Sequence, residues 1–324
     1  MLGYVQKFRE LGLLGFIILI AVVVQLRNPA FLTVDNVTNL LVNNAILSIM
    51  AVGMAVVIIT RGIDLSVAST MGLSGMTVSL LVADRGLSPL VAVLLGMGIG
   101  MLCGGAIGLL IAKLEILPII ATLAAMFIIR GLAHWVSDGR WVVAHQLSDE
   151  FLNLGRGTFL GLNYLILLSV VIFGAFYYFL NHTRTGRHIY AVGSNPDSAK
   201  VSGINNSNMV LLVYMIMGTI SGLSGVLWVS RFASAQSSLA TGYELNVIAA
   251  VILGGVSITG GSGKLFGVFL GALLMGVLSN ALPMVGVSPF WQSAIQGIIM
   301  LLAVVFNVLV KRQVDKARLA ERSL

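Results

Sequence analysis

Apolar runs of roughly 18 or more residues recur along the chain between short polar intervals, and as helices each could cross a hydrocarbon core of about 30 Å. They fall at 11–26, 39–60, 65–83, 89–112, 117–136, 160–180, 208–230, 244–259, 265–284 and 291–310. The pattern predicts an all-α fold: a polytopic transmembrane helix bundle of about ten spans, forming a single transmembrane domain over 1–324. The longest polar intervals, 137–159 and 181–207, are too short for a soluble domain. The first run follows a basic N-terminal stretch as a signal peptide would. Gln25-Leu26-Arg27-Asn28-Pro29 follows it where small residues would mark cleavage, so it reads as an uncleaved first span.

Composition agrees. Hydrophobic residues make up 58% of the 324 and charged residues 10%, against about 25% charged in soluble domains. The 37 glycines include a run at helical spacing, Gly96, Gly100, Gly104 and Gly108, and the pairs Gly218 with Gly222 and Gly267 with Gly271. Lipid supplies no hydrophobic drive between helices, so small residues that let backbones approach must supply packing.

Charge then orients the bundle. An even number of crossings puts both termini on one side. If that side is the cytoplasm, Arg27, Arg85, Arg140, Arg156 and Arg231 lie outside and Arg130 lies within a span. The other 13 of the 19 Lys and Arg residues, from Lys7, Arg9 and Arg61 to Lys311, Arg312, Lys316, Arg318 and Arg322, lie inside. Positive charge concentrates on the cytoplasmic side of membrane proteins, so both termini are expected there. Trp135, Trp141, Trp228 and Trp291 all fall near external span ends, as an interfacial aromatic belt requires. The net charge of +7 is thereby absorbed by topology rather than by nucleic acid.

Three polar segments stand out. In the interval 182–207, Asn195-Pro196-Asp197 is a helix-start signal: a capping side chain, proline at the first helical position, an acid at the positive dipole end. Gly203 supplies a stop. The two-turn helix that results is too short to be stable alone. It is held either in a cleft on a partner protein or on the membrane face of its own bundle. The second segment, Thr60-Arg61-Gly62-Ile63-Asp64-Leu65-Ser66, breaks a long apolar region. Asp64 either caps the third span or, with Ser66, lies in a discontinuous helix at a transport pathway. The third, Gly254-Gly255 through Gly260-Gly261-Ser262-Gly263-Lys264, is not a phosphate-binding loop. Ile258 and Leu265 stand where that motif needs Gly and Ser or Thr. It reads as a tight cytoplasmic turn.

Catalytic and metal chemistry find no support. Cys103 is the sole cysteine, and His134, His145, His182 and His188 form no ligand pair. A membrane-embedded transferase would need clustered His, Asp or Glu on one face. A secondary transporter would need membrane-embedded acids, and apart from Asp64 the spans offer almost none. A receptor without transport activity would leave the short cytoplasmic helix without a use. The span amides Asn43, Asn44, Asn246, Asn280, Gln292, Gln296 and Asn307 could serve a path for neutral hydroxylated solutes or act as interhelical glue. Arg231 and Glu244 flank an external loop where a delivery protein could bind.

Four segments carry a family resemblance: AVGMAVVIITRGIDLSVAS (51–69), ATLAAMFIIRGLA (121–133), HTRTGRHIYAVGSNPDSAKVSGI (182–204) and TGYELNVIAAVILGGVSITGGSGKLFG (241–267). In order and spacing the chain resembles, over nearly its full length, the permease subunits of ribose-type ATP-binding-cassette importers. The resemblance implies a multi-pass inner-membrane subunit that is not itself an enzyme and imports a small sugar by alternating access. It implies a second permease subunit, as a homodimer, a cytoplasmic ATPase using ATP and Mg, and a periplasmic sugar-binding protein. This subunit would bind no cofactor. Gly193, Asn195, Pro196, Asp197, Ala199 and Gly203 would form the coupling helix that seats in the ATPase. Asn43, Asn44, Asp64, Ser66, Asn246 and Asn280 are the candidates for pathway or gate. Pro196-Asp197 stands where relatives often carry two acids, which makes the helix start firmer.

Overall fold

The computed structural model describes residues 2–288, 290–298, 301, 302 and 305, with side chains from residue 10 onward. The helices are α1 (Leu2–Arg27), α2 (Val34–Ile59), α3 (Val67–Arg85), α4 (Pro89–Leu114), α5 (Pro118–Ser137), α6 (Asp149–Arg156), α7 (Tyr164–His182), α8 (Arg184–Ser194), α9 (Pro196–Val201), α10 (Asn206–Phe232), α11 (Tyr243–Leu253) and α12 (Leu265–Met284). Eight of them, α1 to α5, α7, α10 and α12, are long and apolar enough to cross a membrane. Residues 290–298 are also helical. Apart from 301, 302 and 305, the rest of the expected tenth span, including Asn307, lies outside the described residues, as do Lys311, Arg312, Lys316, Arg318 and Arg322 and the side chains of Lys7 and Arg9. The expected span at 244–259 is shorter in the structure. At 11 residues α11 is about 16 Å long, half of a membrane crossing, and the glycines at 254 and 255 end it.

The chain divides into two compact units, one of residues 41–272 and one of the segments before and after it. In the larger unit, residues 44–60 of α2 and its C-terminal end are buried without interruption, and α3 is buried along most of its length. Against α3 packs the crossing of α4 and α10. Gly100 and Gly104 of α4 lie against the carbonyls of Gly218 and Tyr214, and Gly218 and Gly222 lie against those of Gly100 and Gly96, with no room for a Cβ at any of them. The glycine run and the first glycine pair are thus two sides of one contact, which Ser74 of α3 joins by donating to the Gly222 carbonyl at 2.8 Å. Gly267 and Gly271 of α12 lie in the same way against Gly254 and Ala250.

By contrast α4, α5 and α7 carry large exposed apolar side chains, among them Leu94, Leu102, Ile120, Phe127, Ile128, Val170 and Val171. So much apolar surface is not stable in water; a bilayer covers it. Trp135 and Trp141 are exposed near the end of α5, and Trp228 packs on Phe232 and Tyr243. At that end, β1 (Val142–Val143) pairs antiparallel with β4 (Ser234–Ala235), and β2 (Thr158–Phe159) with β3 (Leu162–Asn163). The short α6 is held against α10 through Ser230, whose hydroxyl accepts from the Gly155 N–H at 2.7 Å and donates to the Phe151 carbonyl at 2.6 Å. In the smaller unit the amides of Asn36 and Asn280 donate to each other at 3.0 and 3.1 Å.

Candidate functional site: a junction of three polar segments

At the end of the larger unit opposite its short strands, the three polar segments singled out in the sequence meet. α9 is built as its residues require. The Asn195 side chain accepts from the Ser198 N–H at 3.0 Å, Pro196 occupies the first turn, and Gly203 turns the chain at φ 81°. The Ile204 N–H closes the helix on the Ala199 carbonyl at 3.0 Å. Asp197, Ser198 and Lys200 are exposed, and Val201 is 91% exposed. Ala199 points inward and is buried, and Asn206 ties the following segment to the Pro196 carbonyl at 2.8 Å. Of the residues proposed for coupling, Asp197 therefore offers an outward side chain, Asn195, Pro196 and Gly203 shape the helix, and Ala199 seats it on its own chain.

α9 is not isolated, because α8 leads directly into it. Thr183 caps α8 by accepting from the Gly186 N–H at 3.0 Å, and Gly186, Ile189, Val192 and Gly193 make its buried face. Gly193 sits so close to the Ile59 carbonyl, at the end of α2, that a Cβ would strike it. That carbonyl also accepts the Gly261 N–H at 2.8 Å. Gly260 and Gly261 take positive φ, 79° and 71°, where their backbone presses on Gly193 and Ser194. The Tyr190 hydroxyl donates to the Gly263 carbonyl at 2.9 Å, and burial pushes this phenol's pKa up. Arg61, itself at φ 67°, donates from Nε to the Gly193 carbonyl and from Nη2 to that of Ser194, both at 2.6 Å.

Three residues on lies Asp64, 2% exposed. Its carboxylate accepts from the Ser66 N–H at 2.8 Å and from the Ser66 hydroxyl at 2.6 Å. Ser66, rather than Asp64, is the N-cap of α3, so the acid braces the approach to the helix instead of capping its free N–H groups. Burial raises Asp64 from 3.8 to about 6, against the lowering effect of both Ser66 bonds. The Ile63 carbonyl accepts from the Thr122 hydroxyl at the start of α5 at 3.1 Å.

Within the larger unit the other pathway candidates are not gathered here. Asn43 is exposed near the far end of α2, where Arg231 donates to its side-chain oxygen at 3.2 and 3.3 Å. Asn44 is buried, donates weakly to Ser48 and leaves its oxygen unpaired. Asn246 is half-buried in α11. Asn280 is engaged with Asn36. Arg130, which the sequence leaves without a role, donates from Nη1 to the Ser237 and Leu239 carbonyls at 3.0 and 2.8 Å. It thus satisfies non-helical backbone that packs against α3 at Gly72. The hint in the sequence was a lone cation inside a span with no acid one helical turn away.

Eight apolar helices, glycine-mediated crossings and a broad apolar exterior define a multi-pass membrane protein. The chain belongs to the family described as "Branched-chain amino acid transport system / permease component", whose model matches residues 36–304. It is 39% identical to the ribose import permease protein RbsC of Escherichia coli over 91% of this chain and 92% of the relative. It is 40% identical to RbsC of Bacillus subtilis over 94% of each chain. Identity to the L-arabinose ABC transporter permease protein AraH of Azospirillum brasilense is 36%, over 94% of this chain and 89% of the relative. No solved structure matches the chain.

Proposed function

We propose that the chain is the membrane subunit of an ATP-driven importer of a small sugar, a pentose, hexose or related furanosyl molecule, in the bacterial inner membrane. The observation that supports this most directly is α9: a capped two-turn helix with an exposed outer face, anchored through α8 to the end of α2 and to the 260–263 turn before α12. Its free side presents Asp197, Lys200 and the 91% exposed Val201 to a partner, and a cytoplasmic ATPase supplies one. This orientation puts both termini in the cytoplasm and α6 with the short strands outside, where a sugar-binding protein delivers its cargo. A second copy of the chain completes the path. ATP and Mg are used by the ATPase; this subunit performs no covalent chemistry and alternates between two packings biased by its partners.

Relatives of one sugar class favour sugar over the branched-chain amino acids in the family's description. Uptake by the complex reconstituted with its ATPase and binding protein tests the reading. Labelled ribose, arabinose or galactose should accumulate only with ATP, and accumulation should persist when the proton gradient is collapsed. Accumulation driven by the gradient without ATP, or accumulation of leucine but of no sugar, would overturn it.

A further inference from the structure

Arg61 is more than one of the charges that orient the bundle. Its geometry asks for more. An L-residue at φ 67° is held in a left-handed conformation that side chains other than glycine's disfavour, and the glycine next to it, Gly62, does not take that position. In this conformation the guanidinium reaches the carbonyls of Gly193 and Ser194 at 2.6 Å each. These are the last carbonyls of α8, which carry the negative end of its dipole and immediately precede the Asn195 cap of α9. Among the described residues, the Arg61 side chain alone makes side-chain hydrogen bonds between the 60–66 connection and the α8–α9 corner.

We infer that Arg61 is a positioning residue that makes the 60–66 connection move with α9; this rests on the proposed function above. Charge-assisted bonds to two successive carbonyls resist both translation and rotation of the corner in a way one bond cannot. The contact of Gly193 with the Ile59 carbonyl leaves no slack in one direction, and Arg61 supplies the pull in the other. From the connection, motion passes two ways. Ile63 carries it to Thr122 at the start of α5, and the Asp64–Ser66 brace carries it to the first turn of α3. A displacement of the docking helix by its partner is thereby converted into a displacement of two span ends.

The alternative role is that Arg61 only caps α8, so the test needs a readout that a cap would not move. In the reconstituted complex, sugar transported per ATP hydrolysed is measured for wild type, Arg61→Lys and Arg61→Gln, along with the amount of bound ATPase. Arg61→Gln should keep the ATPase bound and hydrolysis running, while sugar moved per ATP falls about tenfold, the order expected for loss of one charge-assisted hydrogen bond. Lysine, which keeps the charge and one bond, should fall between. A ratio equal to wild type in Arg61→Gln overturns the inference even if both rates drop. If neither variant assembles, hydrogen exchange in the wild-type complex decides. Residues 60–66 and 193–202 should change protection together on adding nucleotide, and a change confined to 193–202 overturns it. A wild-type complex that moves no sugar would instead overturn the functional reading itself.

Discussion

At the scale of single residues, the least expected finding is how much of the junction is made of backbone. Arg61 binds carbonyls 132 and 133 positions away, and Gly193 is required by the Ile59 carbonyl. A carbonyl has no residue identity, so no reading of side chains finds such a partner. Asn195, Pro196 and Gly203 were legible because capping is local chemistry within a few residues. Asp64 was legible as a special acid, but its partner was not, since an acid two positions before a serine can brace or cap. Its burial makes a pH prediction. With a native pKa of about 6 against 3.8, the native chain holds this proton more tightly than the unfolded chain. The stability that Asp64 contributes is therefore present below the unfolded value and is lost as pH rises through about 6. Thermal unfolding in detergent should show wild type losing stability relative to Asp64→Asn between about pH 4 and about pH 7. Parallel pH curves for the two proteins would refute the assignment.

For whole elements, hydropathy located the spans well because the membrane thickness fixes their length. It placed α2 to α5, α7, α10 and α12 within a few residues, except that α2 begins about five residues earlier. It missed α8 because the segment's charges and glycines resemble a loop. The signal was present in Gly186, Ile189 and Val192 with Gly193, which share one helical face after a Thr183 cap. It also overextended α11, whose apolar residues continue past a pair of helix-ending glycines. Small-residue spacing predicted tight packing but not which helices meet. The structure joins α4 to α10, and that pairing can be tested with a matched pair of substitutions. Gly100→Leu must push backbone from backbone and should lower stability by about 1–3 kcal/mol or more, the cost of overpacking. Gly98→Leu, on the same helix with nothing within 4 Å of its Cβ position, should unfold at nearly the wild-type temperature. Equal losses for both would show that the α4–α10 contact is not the one that matters.

For the molecule as a whole, composition alone required a membrane protein, and the matched motifs supplied the family. What neither could supply was convergence. Three polar segments, around 60–66, 193–203 and 260–263, form one junction, and an exposed helix stands on it with Asp197, Lys200 and Val201 outward. Within the larger unit Asn43 is engaged with Arg231, away from Asp64 and Ser66 at the junction, and in the smaller unit Asn280 is engaged with Asn36. Asn43 and Asn280 each make an interhelical hydrogen bond. The proposed seating of an ATPase on α9 is tested by co-purification from native membrane. Wild type should elute with a nucleotide-hydrolysing partner whose activity rises when sugar and its binding protein are added. The variant Asp197→Arg with Val201→Glu, altered only on the exposed face, should fold and elute without that partner. An ATPase retained equally by both proteins would contradict the assignment of α9, and a wild type that carries none under gentle extraction would contradict the importer itself.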